Sequence, residues 1–175
     1  DRPVIFVSGH FNNFELMAME IEKNGVKLAA IYRPLNNFFL NKIMVYLRKN
    51  YICRNQVVKG ISGVRDSFKL FKKGFSLALM IDQRLSEGIK VNFFGKSAST
   101  TTLPAQFVKK FNAEIVPVHI FRDKDFKFKM KISEPLEFDK SENIETITIK
   151  LNNWIEKEII KYPEQWIWSH NRWKI

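Results

Sequence analysis

The sequence has little cysteine and lacks the signatures of a metal or nucleotide site. Cys53 is the only cysteine among the 175 residues, so no internal disulfide forms and the thiol is expected to pack as a small apolar group. No spacing of cysteine and histidine suggests zinc and no glycine-rich loop suggests a nucleotide, so no metal and no cofactor is predicted. Gly60-Ile61-Ser62-Gly63 misses the Gly-x-Ser-x-Gly nucleophile elbow by one position.

Long apolar runs, repeats and linkers are missing as well. No apolar run reaches the roughly 18 to 20 residues of a membrane-spanning helix, and no secretory signal opens the chain. With 45% hydrophobic and 27% charged residues the composition is globular, and the length suits one domain over residues 1–175. The chain begins at Asp1, almost directly on a predicted strand, and we expect it to be a fragment of a longer protein.

The sequence has fewer acidic than basic residues. The chain has 29 lysines and arginines against 18 aspartates and glutamates, a net charge of +11, which predicts an anionic partner. Composition leaves open an acidic carrier protein, a phosphorylated glycolipid, an anionic membrane surface or a nucleic acid. The best local candidate is the predicted strand 126–132, where Lys127, Lys129 and Lys131 alternate with apolar residues in the period of a half-buried strand.

Apolar runs and helical stripes alternate along the chain. Strands are predicted near residues 4–7, 27–32, 56–58, 75–81, 115–120 and 126–132. Helices with apolar residues three and four positions apart are predicted around 14–21, 39–47, 62–73, 103–111 and 144–155. This alternation predicts an α/β fold with a mixed, largely parallel sheet flanked by helices.

The turn after the first strand holds the most reactive pair of side chains, His10 and Glu15. A neutral imidazole takes a proton from an alcohol, and a carboxylate on its other nitrogen fixes the tautomer. Residues five apart on a regular helix point about 140° apart, so His10 must lie outside the helix and fold back over its first turn. The alternative is a capping box, in which Asn12 is the N-cap and Glu15 bonds a free amide.

Polar residues also follow two later strands. Arg33 follows strand 27–32, and Asp82, Gln83 and Arg84 follow strand 75–81. The carboxyl ends of strands in an open α/β sheet share one crevice. Arg33 is either an exposed loop charge or a guanidinium that grips phosphate or stabilises an oxyanion. Asp82 is either a structural turn carboxylate or a group that orients a base, and a structural role that shapes the site is the favoured interpretation.

Three further polar residues are candidates for the site, and two of them have two interpretations each. Thr101, in the run Thr100-Thr101-Thr102, either caps the following helix or binds phosphate at its N-terminus. His170, in a tail with three tryptophans, is expected to make a structural contact rather than to support the site. His119 falls inside a strand and is expected to be a core histidine.

Several segments resemble one family. Ser8-Gly9-His10-Phe11-Asn12-Asn13-Phe14-Glu15 resembles the His-(four residues)-Glu motif of the late acyltransferases of lipid A biosynthesis, a branch of the lysophospholipid acyltransferase superfamily. The later blocks, in the family's order, are Tyr32-Arg33-Pro34, Asp82-Gln83, Phe93-Phe94-Gly95, Thr100-Thr101-Thr102, Val116-Pro117 and Pro163-Glu164-Gln165-Trp166-Ile167-Trp168-Ser169-His170-Asn171-Arg172-Trp173-Lys174. The resemblance covers nearly the whole chain. It departs where the family often has Gly-Asn-Trp and this chain has Asn12-Asn13-Phe14, which bears on substrate fit more than on reaction class.

The resemblance implies an acyltransferase-like domain that moves a fatty acyl group from acyl carrier protein to a hydroxyl of a lipid A precursor. It implies that the protein acts at the cytoplasmic face of the inner membrane, with an N-terminal membrane-anchoring region outside this fragment. The partners implied are acyl carrier protein, the lipid A precursor and the anionic membrane surface. No cofactor is implied beyond the acyl-carrier donor, and no nucleic acid is expected.

The resemblance also implies roles for individual residues. His10 would be the general base and Glu15 its orienting partner. Because no nucleophile stands out in the sequence, the acceptor is expected to attack the thioester directly, without an acyl-enzyme. The implied substrate-binding residues are Arg33, Asp82, Gln83, Arg84 and Thr101. The candidates for lining an acyl-chain pocket are Phe11, Phe93 and Phe94, although large apolar pairs in short strands are usually core.

Two alternatives stay open at this point. One is an acyltransferase that acts on another phospholipid or glycolipid, which acceptor profiling would separate from the first function. The other is a non-catalytic basic module that binds nucleic acid, which would show steep salt-dependent affinity and no acyl transfer.

Overall fold

The computed structural model describes residues 2–174 and shows eight strands and five α-helices in that range. The strands are β1 (Ile5–Ser8), β2 (Leu28–Tyr32), β3 (Asn55–Val58), β4 (Ser76–Met80), β5 (Ile89–Phe93), β6 (Lys96–Thr100), β7 (Ile115–Arg122) and β8 (Phe128–Ile132). The helices are α1 (Glu15–Lys23), α2 (Phe38–Leu47), α3 (Ile61–Lys72), α4 (Leu103–Phe111) and α5 (Ile144–Lys161). A π-helical turn, Arg48–Ile52, continues α2.

Six strands are hydrogen-bonded in the order β3-β2-β4-β1-β7-β8, and β5 and β6 form a separate antiparallel hairpin. β2 runs parallel to both of its neighbours, with Ala29 opposite Asn55 on one side and Leu77 on the other. β8 runs antiparallel to β7. The predicted α/β class with a mixed, largely parallel sheet is confirmed.

The first of two compact units comprises the residues up to Phe6 and Glu15–Leu79. Its core is apolar, because α1 buries the helical stripe Met17, Ala18 and Ile21 and β2 buries Leu28 and Ala29. Helix α2 differs from its neighbours: Asn37 caps it by accepting hydrogen bonds from the N–H groups of Phe39 and Leu40, yet the helix has no buried residue.

The second unit comprises Val7–Phe14 and the chain from Met80 onward. β7 is buried from Ile115 to Ile120, and α5 packs against β5 and α4 with the stripe Ile147, Leu151, Ile155 and Ile159. None of the helices within residues 2–174 combines the length and the hydrophobicity needed to cross a bilayer.

Strand β8 exists where the sequence predicts a strand, but the predicted half-burial is wrong. Met130 is half-buried and the other four residues are exposed. β8 is the edge strand of the sheet beside β7, and the exposure of both its lysine side and its apolar side shows that little packs over either face.

Candidate active site

Strand register places His10 beside Asp82. The Ile81 N–H donates to the Ser8 carbonyl at 3.0 Å, so the ends of β1 and β4 lie level with each other. Two residues beyond Ser8 the chain reaches His10, and one residue beyond Ile81 it reaches Asp82. The expectation that strand ends bring these polar residues to one edge holds for this pair.

Two hydrogen bonds join the pair. The backbone N–H of His10 donates to Asp82 Oδ2 at 2.8 Å, and the ring Nδ1 lies 2.7 Å from Asp82 Oδ1. The Asp82 side chain is 1% exposed and that of His10 is 16% exposed. The ring also packs edge to face on Phe14, with centroids 4.6 Å apart.

The Asp82 carboxyl is ionised at neutral pH. Burial pushes its pKa upward, but the hydrogen bonds and charge of His10, together with the hydrogen bond from Trp166, outweigh burial and hold the pKa below its usual value. Because an ionised carboxylate only accepts hydrogen bonds, Nδ1 of His10 carries the proton and donates it. In the neutral ring, Nε2 is therefore the acceptor, as a general base requires.

The C-terminal tail holds this pair in place. Trp166 Nε1 donates to Asp82 Oδ2 at 2.7 Å, and Trp166 forms an antiparallel bridge with Phe11. The Ile167 N–H donates to the His10 carbonyl at 3.1 Å, and the Asn12 N–H to the Gln165 carbonyl at 2.9 Å. Sequence reasoning missed Trp166 as a site residue, and the only signal was the crowding of tryptophans near the C-terminus.

The capping-box interpretation of Asn12 is wrong. α1 begins at Glu15, whereas an N-cap residue immediately precedes the first helical residue. Asn12 instead has a positive φ of 42°, and its Nδ2 donates to Gln165 Oε1 at 2.5 Å. Asparagine tolerates this left-handed conformation better than most residues. Asn12 therefore stabilises the loop after β1 by binding the tail.

Glu15, in the first unit, has a different partner from the one predicted. Arg48 donates to Glu15 Oε1 from Nε at 3.0 Å and from Nη2 at 2.5 Å. The guanidinium also lies 5.3 Å from the centroid of the Tyr32 ring. The π-helical turn at the end of α2 supplies Arg48 to this contact. The role of Glu15 in catalysis stays a prediction.

A double-mutant cycle tests the Glu15–Arg48 contact. Both side chains are mostly shielded, at 27% and 12% exposed, so we expect Glu15→Gln and Arg48→Met to show a coupling of about 1–3 kcal/mol in the free energy of unfolding. The control is the exposed pair Glu20–Lys23 on the same helix, expected to couple by less than about 0.5 kcal/mol. Equal coupling in the two pairs would contradict a structural role for the Glu15–Arg48 bond.

The other predicted polar residues lie at strand or helix ends. Arg33 follows β2, is exposed, and lies 3.5 Å from Asn36 Oδ1 through Nη2. Gln83 is half-buried directly after Asp82. The Arg84 N–H donates to His170 Nε2 at 3.1 Å, which confirms a structural contact for His170.

Thr101 bonds the start of α4. Its Oγ1 accepts from the Leu103 N–H at 3.3 Å, which is the capping alternative of the two that the sequence left open. Phosphate binding by Thr101 stays a prediction.

The three acyl-pocket candidates lie in aromatic clusters of the second unit. Phe11 is fully buried and stacks on His119, with centroids 4.4 Å apart. His119 is a core histidine, as predicted, and its Nδ1 lies 2.6 Å from Glu158 Oε2. Phe93 is fully buried, and Phe94 is half-buried with a φ of 51° at the β5–β6 turn. Their lining of an acyl pocket stays a prediction.

Arg172 is a buried cation that sequence reasoning did not single out as a site residue. Its side chain is fully buried, donates to the Ser99 carbonyl at 2.7 Å and to Thr100 Oγ1 at 2.6 Å, and lies 4.8 Å from the centroid of the Phe93 ring. Burial lowers its pKa to about 10, while the negative charge of Asp82 opposes that shift. Arg172 therefore balances part of the buried charge of the site.

Cys53 is a structural residue. It is fully buried, and burial together with the charge of Glu22 raises its pKa to about 11. A thiol with such a pKa is protonated at neutral pH and is a poor nucleophile. In the described part of the chain, no group of three or more histidine, cysteine or acidic side chains is arranged to hold a metal ion.

Comparison with known proteins agrees with the geometry at the level of the family. The chain is 25% identical over 178 residues to a lipid A biosynthesis acyltransferase of Haemophilus influenzae, covering 98% of this chain and 55% of the relative. It is 26% identical over 179 residues to both the lipid A biosynthesis palmitoleoyltransferase and the lauroyltransferase of Escherichia coli, covering 99% of this chain and 56% of each. The chain thus spans about half the length of these curated relatives. All of residues 1–175 match the family described as bacterial lipid A biosynthesis acyltransferase, and the chain belongs to that family.

Proposed function

We propose that the protein transfers a fatty acyl group from acyl carrier protein to a hydroxyl of a lipid A precursor. The observation that carries the proposal is the His10–Asp82 pair, because the buried carboxylate gives the imidazole a fixed tautomer with Nε2 as the acceptor. Family membership supports the reaction class and the acceptor class. The net charge of +11 suits an acidic carrier and a phosphorylated acceptor.

His10 acts as the general base in this mechanism. Nε2 takes the proton of the acceptor hydroxyl while the hydroxyl oxygen attacks the carbonyl carbon of the donor thioester. The new C–O bond forms and the tetrahedral intermediate collapses by breaking the C–S bond. The leaving thiolate takes the proton back from the imidazolium. Asp82 stays ionised throughout and stabilises the imidazolium while it exists.

Attack is direct, without an acyl-enzyme. The only thiol of the chain is buried and protonated, so it supplies no nucleophile. We propose that the acceptor oxygen reacts with the thioester itself, so that no covalent intermediate accumulates.

Arg33 and Glu15 complete the proposed machinery in the first unit. Arg33 is exposed at the end of β2, where its guanidinium is available to bind a phosphate of the acceptor or the developing oxyanion. Glu15 is proposed to support His10, as the family motif implies, with Arg48 holding its carboxylate. Gln83, Arg84 and Thr101 are proposed as further substrate contacts.

We place this reaction at the cytoplasmic face of the inner membrane. The acceptor is a membrane lipid and the donor is a soluble acidic carrier, so the enzyme must work where the two meet. The excess of cationic groups suits the negative surface of that leaflet.

Thin-layer chromatography of acyl transfer tests the proposal. The chain is given radiolabelled acyl-acyl carrier protein with a lipid A precursor, and in parallel arms with a glycerophospholipid and a glycosylated inositol lipid. We expect labelled product only with the lipid A precursor. Product with only one of the other lipids would show that this lipid, and not the lipid A precursor, is the acceptor. A further arm uses acyl-coenzyme A in place of the acyl carrier protein, and product in that arm alone would show that coenzyme A carries the donor acyl group. No product in any arm would contradict acyl transfer by this chain.

A further inference from the structure

Helix α2 presents an apolar face to solvent. Phe39, Ile43 and Tyr46 are 76%, 56% and 60% exposed, and their spacing of four and three residues puts them on one side of the helix. More exposed apolar side chains flank them, and we call the whole set the α2 apolar face. Its other members are Phe38, Leu40 and Leu47 on α2 and Tyr51 on the π-helical turn that continues it.

The α2 apolar face is the stripe that predicts the helix from sequence. A surface helix usually turns such a stripe inward. Here the side of the helix that packs inward carries Asn41, Met44, Val45 and Arg48, all half-buried, and two of these are polar or charged. The sequence thus maintains a continuous apolar surface on the outside of α2, which marks an interaction site.

The charge of the surrounding chain limits what binds there. Residues 24–65 contain no aspartate or glutamate. They contain eight cations, of which Arg48 is already paired with Glu15; the eight are Lys27, Arg33, Lys42, Arg48, Lys49, Arg54, Lys59 and Arg65. A run of this length without one carboxylate fits an anionic partner.

Two of these cations border the apolar face. Lys42 and Lys49 are both exposed: Lys42 lies on α2 next to the side that carries Phe39 and Ile43, and Lys49 lies in the π-helical turn that continues the helix. Lys42 Nζ lies 4.3 Å from the centroid of the Phe38 ring. Lysines so placed keep their ammonium groups at the polar boundary while their stems follow the apolar surface. An apolar face with a cationic border is typical of helices that lie in a membrane interface.

We propose that the α2 apolar face inserts into the headgroup and upper acyl region of an anionic phospholipid bilayer, with Lys42 and Lys49 on the lipid phosphates. The inference deepens the proposed function and rests on it, because an enzyme that acylates a membrane lipid must meet the bilayer. It differs from the sequence prediction that strand β8 is the anionic-surface site. In β8, Lys129 is already paired with Asp123 at 3.0 Å.

Vesicle flotation tests the inference. The chain is mixed with vesicles of pure phosphatidylcholine or of phosphatidylcholine with an equal amount of phosphatidylglycerol. We expect binding to the anionic vesicles, reduced about 100-fold by combining Phe39→Gln, Ile43→Gln and Tyr46→Gln. Combining Lys42→Gln and Lys49→Gln is expected to weaken binding to the anionic vesicles about 30-fold and to leave binding to phosphatidylcholine unchanged.

Matched controls keep the test decisive. The pair Lys127→Gln and Lys131→Gln removes the same charge from two exposed positions, one just before β8 and one in it, and is expected to leave vesicle binding within about twofold of the unmodified chain. Circular dichroism and thermal unfolding confirm that each variant folds, as expected for exposed sites. Unchanged vesicle binding by the triple α2 variant would overturn the inference. So would loss of self-association without loss of vesicle binding, because the face would then bind a second copy of the chain.

Different results contradict the proposed acyl transfer and the proposed membrane insertion of α2. Acyl transfer is also measured with the acceptor dissolved in detergent, where no bilayer is needed. Normal transfer in detergent with vesicle binding that does not depend on α2 contradicts the inference alone. Binding that depends on α2, without transfer in either medium, contradicts the proposed function.

Discussion

Replacing His10 with alanine is expected to lower the single-turnover rate of acyl transfer by about 10²- to 10⁴-fold, the range of a general base. The imidazole is the only group in the pair that can accept the hydroxyl proton, since the Asp82 carboxylate already accepts three hydrogen bonds. The measurement is quenched-flow transfer from labelled acyl-acyl carrier protein at saturating acceptor.

The His10→Ala variant is expected to stay folded. The side chain of His10 is 16% exposed, so water reaches the space it leaves, and the backbone N–H that bonds Asp82 is retained. The cost in the free energy of unfolding is then about 1–2 kcal/mol. The control is Asn13→Ala, an exposed position in the same loop, expected to keep the unmodified rate. A near-native rate for His10→Ala would eliminate the proposed mechanism.

Added imidazole separates loss of the base from loss of loop structure. In His10→Ala, the cavity beside Asp82 is expected to admit imidazole and to recover part of the rate, because the free base replaces the missing one. Asn13→Ala should not respond. A rate that stays low at every imidazole concentration, in a variant that unfolds like the unmodified chain, would point to a positioning role for His10.

Local sequence pattern predicted the six strands of the sheet and the five α-helices, but neither the β5–β6 hairpin nor the partners of the strand ends. The apolar run 75–81 predicts β4 and hence the arrival of Asp82 at the sheet edge, and register then sets it beside His10. Trp166 reaches the same carboxylate from 84 residues away along the chain. No periodicity encodes such a contact, because it depends on how the tail pairs with the loop after β1.

Glu15 shows the same limit at short range. Its spacing from His10 and from Asn12 suggested two local partners, yet its carboxylate bonds Arg48, 33 residues further on. That contact requires α2 to continue into a π-helical turn, which side-chain pattern does not signal.

Burial is the property that pattern predicted least well. The stripe of α2 predicts a helix, and the alternation of β8 predicts a strand, and both elements exist. The alternation of β8 predicts one buried side, and a surface helix usually turns a stripe like that of α2 inward, yet in both elements the apolar residues of the pattern lie largely exposed. Periodicity shows that one side of a helix or strand is apolar, whereas the exposure of that side depends on which other elements pack against it.

Replacing Asp82 with asparagine is expected to cost about 2–5 kcal/mol in the free energy of unfolding at pH 7. The carboxylate accepts from the His10 N–H, from His10 Nδ1 and from Trp166 Nε1, and it is almost fully buried. An amide offers one acceptor oxygen in place of two and sets an N–H₂ group against at least one of those donors. Urea unfolding of the variant and the unmodified chain measures the difference. The control is Asp66→Asn, an exposed carboxylate 3.9 Å from Lys69, expected to change stability by less than about 0.5 kcal/mol.

The pH dependence of that difference identifies its cause. The pKa of Asp82 in the folded protein is lowered from its unfolded value of about 3.9, so its ionised form adds stability that is fully present above that value. The stability is lost as the pH falls through the folded pKa, because the carboxyl must then protonate. The difference in the free energy of unfolding between the unmodified chain and Asp82→Asn is therefore expected to narrow as the pH falls below about 4. A gap that persists unchanged in acid would mean that the amide destabilises by its shape, and that the charge of Asp82 contributes little to holding His10.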